Sequence, residues 1–201
     1  MPPVKFIAGL VLGLIIVPLG IYMYLTGSSA PVATTDADMP FENFFAHKAL
    51  NARIAKDMPK IVPVPTSEAN YLAGAELYKQ HCGVCHGLPL SPKSAIATGM
   101  YPQPPQLFQG KGVTDDEPGE TYWKIFNGIR LTGMPGFSKS LSETQMWQVA
   151  IVLANADKLP ASAKAALVAP IASLSPETTT VPLVSPVPPA PPVPNSTAPP
   201  K

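Results

Sequence analysis

Residues 6–25 (FIAGLVLGLIIVPLGIYMYL) run for twenty positions without a charged side chain. At 1.5 Å rise per residue such a run makes a helix of about 30 Å, the thickness of a bilayer's hydrocarbon layer. No polar face appears around its wheel, which argues against a helix half-buried in a soluble core. Two readings remain, a membrane span and a cleaved export signal. The run is longer than the roughly 7–15 apolar residues of a signal, and Pro31 follows the only small-residue cleavage candidate, residues 28–30. A span is therefore preferred, with residues 1–27 as the anchor. Lys5 lies before the span and Asp36 and Asp38 are the first charges after it, so the positive-inside rule places everything beyond Leu25 on the outer face.

The other end of the chain differs in kind. Residues 161–201 hold 11 of the 27 prolines beside many Ala, Ser, Thr and Val, a composition expected to bury no core and to act as a spacer or partner-binding tail. The whole chain has a formal charge of +1 with 13% charged residues, which argues against nucleic acid as a partner. Two cysteines three positions apart close too short a loop to act as a structural staple, so their purpose is chemical.

Between these ends, residues 39–60 contain Phe41, Phe44, Phe45, Ala49 and Ile54 at mixed helical spacing. Such a helix suits a membrane surface, the following domain or a partner subunit. The IVPVPT run at residues 61–66 reads as a stiff extended linker, because each proline disfavours helix in the residue before it. Residues 28–66 thus form a connecting segment, and a domain is expected over residues 67–160. Its first helix is predicted over residues 68–82, capped by Thr66 or Ser67, with Gly74, Tyr78 and Cys82 on one face. A second carries Tyr122, Trp123 and Phe126, begins near Glu120 or with Thr114 and Glu117 as its cap, and stops at Gly128. Ser142 and Gln145 form a capping box for a third, which runs through Trp147, Ile151 and Leu153 and ends near Asp157.

The segment HCGVCH, residues 81–86, contains C-x-x-C-H, the attachment signature for c-type haem. Two thiols one tight turn apart can each form a thioether to a vinyl group on neighbouring pyrroles, and His86 then lies beneath the iron as proximal ligand. A thioredoxin-like pair would need a strand before the cysteines, where a helix end is expected instead. A zinc site would need a second ligand cluster that the chain lacks. For the opposite axial position the candidates are Met100, Met134 and Met146. Met134 is preferred, because in TGMPGF the glycines allow close approach to a flat ligand and the proline stiffens the sulfur's position. Met100 sits in a similar Gly-Met-Tyr-Pro setting, whereas Met146 lies inside a helix as ordinary packing. His81 and His47 are unfavoured alternatives, and an open distal site would suit a haem-based gas sensor.

Taken together, CGVCHG, YPQPPQLF, NGIRLTGMPGF and the Trp147 helix resemble class I cytochrome c in its single-haem, membrane-anchored bacterial form, over about residues 68–160. The resemblance implies an all-α class I cytochrome c fold carrying one covalent haem c, here with an N-terminal transmembrane helix and a Pro/Ala-rich tail. It further implies that Pro105, or its neighbour Pro104, orients His86 through a carbonyl, that Leu107 packs on the haem, and that Met134 is the distal ligand. Arg130 is a candidate partner for a haem propionate. The family's crossing of first and last helices would bring Gly74 and Tyr78 against Trp147 and Ile151. The implied role is single-electron transfer on the periplasmic side of a bacterial inner membrane, with redox proteins as partners and no small-molecule substrate or turnover. A cytochrome subunit of a larger respiratory or photosynthetic complex is the alternative. Over residues 67–160 seven basic residues oppose eight acidic ones, so a tether rather than strong charge steering would supply the encounter.

Overall fold

The computed structural model describes residues 2–28, 30–109 and 114–170, and among these it contains eight helices and no strand. The first, α1 (Pro2–Thr26), is long and apolar enough to cross a membrane, with a mean hydropathy of 2.4 over Pro3–Thr26 and its apolar side chains exposed along its length. The second, α2 (Glu42–Asp57), buries only Ile54 and leaves Phe41, Phe44 and Phe45 exposed.

The remaining helices are α3 (Glu68–His81), α4 (Gly83–His86), α5 (Ala95–Gly99), α6 (Pro118–Asn127), α7 (Glu143–Ala154) and α8 (Ala161–Val168). Local chemistry explains their ends. Ser67 Oγ accepts the Asn70 amide at the start of α3. At α7 Ser142 Oγ accepts the Gln145 amide while Gln145 returns a bond to the Ser142 amide, so two otherwise orphaned donors are satisfied reciprocally. Pro118 opens α6, two residues earlier than Glu120, because a first-turn residue has no amide bond to lose; Gly128 then ends the helix at φ 69°.

Helix α3 packs on α7 along one flank and on α8 along another, with α6 against α7. Tyr78, Met146, Val149 and Val152 are almost wholly buried in this core, and Tyr122 of α6 stacks on Trp147 at 4.2 Å with 13° between the rings. One expectation holds and one needs correction. Helices α3 and α7 do cross in contact, Gly74 lies directly against Gln148 and Val152 of α7, and Tyr78 and Trp147 share one core cluster. The segment from residue 161 does not all lie outside the core: α8 buries Ala163, Ala166 and Leu167, and Lys79 Nζ reaches the Ala166 carbonyl at 2.9 Å. Small side chains let α8 lie close against α3, so the helical body runs to Val168 and not to residue 160. The rest of that segment, from residue 171, lies outside the described residues.

Candidate haem site

The attachment motif is built as one turn. Cys82 closes α3 through its amide to the Tyr78 carbonyl at 2.8 Å, and its own carbonyl then accepts the amides of Cys85 at 3.1 Å and His86 at 2.8 Å. The two cysteines therefore stand three residues apart on a tight helical step, both half-buried and neither in a disulfide. Burial pushes the Cys82 thiol up to about 12, with Cys85 adding to the effect. A thiol so reluctant to ionise is unlike the low-pKa nucleophile of a thiol–disulfide oxidoreductase. Nor do three His, Cys, Asp or Glu side chains gather as a metal cluster among the described residues.

His86 is held from two directions. Its Nδ1 lies 2.9 Å from the Pro105 carbonyl oxygen. A carbonyl only accepts, so Nδ1 carries the proton and Nε2 keeps a free lone pair. Burial holds the ring below its usual pKa, partly opposed by the Pro105 bond, with Lys124 lowering it further, so the imidazole is neutral at pH 7. The His86 carbonyl accepts the Leu107 amide at 3.1 Å. Gln106 Nε2 bridges the Cys85 carbonyl at 3.1 Å and the Pro104 carbonyl at 3.3 Å. On the other flank Tyr78 Oη donates to the Gly87 carbonyl at 2.9 Å.

Met134 lies in the loop after α6. The Ile129 amide donates to the Met134 carbonyl at 3.1 Å and the Met134 amide to Thr132 Oγ1 at 3.1 Å. A Cβ on Gly128 would stand 2.5 Å from the Gly136 nitrogen, so the loop's two ends touch backbone to backbone, which only glycine allows. Met134, Leu107, Cys82, Leu88 and Phe137 all pack, half-buried, against the same core cluster. Arg130 is exposed in the adjacent turn. His81 ends α3 edge-on to Phe137 and His47 sits exposed on α2.

Two contacts were not foreseen. The Met100 methyl occupies the space where a side chain on Gly133 would begin, so Met100 lies beside the Met134 loop. Gln106, flanked by two residues already singled out, offered no signal of its own, because its amide works through chain segments distant in sequence. Two thiols on one turn, an imidazole with Nδ1 donating and Nε2 free, and a thioether on the same core make a donor set that suits haem iron and its vinyl groups.

Residues 69–151 match the family described as cytochrome C oxidase, cbb3-type, subunit III. No curated protein matches the chain. The matched stretch runs from the start of α3 through most of α7 and contains Cys82, Cys85, His86 and Met134. This match makes residues 69–151 a c-type cytochrome domain, and the all-helical fold is consistent with class I. It carries covalently bound haem c, and its chemistry is haem-based electron transfer.

Proposed function

We propose that this protein is a membrane-tethered single-electron carrier whose haem is linked through Cys82 and Cys85, with His86 and Met134 as axial ligands. The observation that carries the reading is the 2.9 Å bond from His86 Nδ1 to the Pro105 carbonyl, which leaves Nε2 as the ligating nitrogen and increases its basicity. When bound, haem supplies a one-electron ferric–ferrous couple. The chain's part is to keep the ligands still: Gln106 and Leu107 clamp the attachment turn, and the Thr132 hydroxyl and the Gly128–Gly136 contact hold the loop of Met134. Leu107 supplies apolar packing, and Arg130 pairs with a propionate. Helix α1 tethers the domain, and the Lys5 and Asp36 asymmetry supports the periplasmic face of a bacterial inner membrane. Redox proteins are its partners, and the domain alone turns over no substrate.

A second reading, a cytochrome subunit of a larger respiratory complex, is favoured by the oxidase-subunit description of the matched family. Purification in mild detergent separates the two: a single haem polypeptide supports the carrier, and copurifying large subunits support the complex. For the ligand, Met134→Ala should admit carbon monoxide to the reduced iron, abolish the near-infrared sulfur-to-iron band and lower the potential. Tight carbon monoxide binding by the unaltered protein would overturn the six-coordinate reading and favour a gas sensor.

A further inference from the structure

We propose that Phe41, Phe44 and Phe45, at the start of α2, bed into the headgroup boundary of the bilayer that α1 crosses and so hold the cytochrome domain at one attitude on the membrane. The proposal rests on the tethering reading of α1.

The three rings are 72%, 57% and 63% exposed, and they pack edge-on to one another at centroid distances of 6.4 and 5.2 Å without being covered by the domain. The same helix is fixed at its other end. Ile54 is buried, and the Pro59 carbonyl after the helix packs tightly on Gly119 of α6. Phe45 and Ile54 are nine residues apart, which at about 100° per residue puts them on opposite sides of α2. The Ile54 side docks on the cytochrome, Phe45 faces away from it, and Phe44, about 80° round the helix from Ile54, is exposed on the flank.

What lies outward follows from the end of α1. Tyr24 and Ser28 line a shallow cavity together with Met39 and Pro40, the residues immediately before Phe41. The connecting segment is folded into turns, with the Val32 and Ala33 amides both donating to Asp36 Oδ2 at 2.8 Å and the Met39 amide to Glu42 Oε2 at 2.9 Å. The phenylalanines are thereby kept near the level at which α1 leaves the hydrocarbon, rather than on a long leash. Lys48 Nζ sits 5.4 Å from the Phe44 ring centroid, so a cation flanks the apolar patch where lipid phosphates would lie. Aromatic rings flanked by lysine are the composition of a helix lying in the interface.

The test uses the haem-loaded full chain in phosphatidylcholine nanodiscs, with a nitroxide placed singly by Phe44→Cys, by Ile16→Cys within α1, or by Lys158→Cys at an exposed control; the native cysteines are consumed by the haem. Collision with oxygen and with a water-soluble nickel chelate is then measured. The oxygen-to-nickel ratio at position 44 is expected to exceed that at 158 several-fold and to approach that at 16. A lipid-like value at 16 with a water-like value at 44 overturns this proposal alone, including the case in which a protein partner covers the rings. Water-like values at both overturn the tethering reading and this proposal with it. Replacing all three by Phe41→Ser, Phe44→Ser and Phe45→Ser is expected to abolish most of the haem's linear dichroism in oriented bilayers, and unchanged dichroism overturns the proposal.

Discussion

Gly74 of α3 packs directly on the backbone of Gln148 of α7, and a Cβ there would stand 2.6 Å from the Gln148 carbonyl carbon and 2.8 Å from Val152 Cγ2. Helix propensity alone would favour alanine over glycine in a helix interior by about 1 kcal/mol. The clash is with backbone and cannot be relieved by a rotamer, so it outweighs that gain. Gly74→Ala is expected to destabilise the haem-loaded domain by about 1–3 kcal/mol and Gly74→Val by more, each kilocalorie lowering the melting temperature by about 4–8 °C. A stabilised Gly74→Ala protein in thermal or guanidinium unfolding would show that the two helices cross less closely.

Helix α8 belongs to the stabilising core. Leu167 is 1% exposed, and the buried Lys79 ammonium both donates to the Ala166 carbonyl and pairs with Glu76 at 2.9 Å. Leu167→Ala should cost about 2–5 kcal/mol, the range for emptying a buried leucine site. A chain ending at Pro160 should also be measurably less stable than one ending at Ala169, since Lys79 then loses the carbonyl it was buried against. Equal unfolding midpoints for the two truncations would show α8 to be dispensable.

Where signals were local, the sequence was readable. Ser67, the Ser142–Gln145 box and Gly128 announce the ends of α3, α7 and α6 because a cap acts within one turn of its own helix. The C-x-x-C-H pattern of residues 82–86 is likewise five consecutive residues, visible in the sequence without reference to any distant segment. The short α5 and α8 were not legible: α5 has Ser94 as a cap but little apolar periodicity, and the eight residues of α8 were averaged into a proline-rich composition. Gln106 and Met100 escaped for a different reason. Their contacts, to the Cys85 carbonyl and to Gly133, exist only once separate stretches of chain have folded together.

Lys124 provides a pH-dependent contribution. Its Nζ lies 2.6 Å from Asp116 Oδ2 and 2.8 Å from Glu120 Oε1. Partial burial pulls the ammonium's pKa down, but the two carboxylates outweigh it and hold the group above its ordinary value. A raised folded value means that the stabilisation is fully present below the unfolded lysine pKa of about 10.4 and fades as pH rises through the folded one. Lys124→Gln should therefore lower stability by about 1 kcal/mol at pH 8, and the gap to wild type should close in strongly alkaline solution. A gap that persists unchanged above pH 11, on the scale of about 10.4 for free lysine, would assign the effect to packing instead.

The covalent attachment can be taken apart one bond at a time. In the proposed attachment Cys82 and Cys85, half-buried and three residues apart on a single turn, would each hold its own vinyl carbon. Wild-type protein is expected to gain the mass of one haem and to keep its colour through acid-acetone extraction. Cys82→Ala or Cys85→Ala should still retain haem in the denatured polypeptide, through the one remaining thioether, with its reduced pyridine haemochrome band displaced because one vinyl stays unsaturated. In the double variant both bonds are gone, and although His86 still has its Nε2 free, a coordinate bond does not survive acid denaturation. All the colour should then pass into the solvent. Extraction of haem from the wild type, or its retention by the double variant, would show that the link to the chain is made elsewhere.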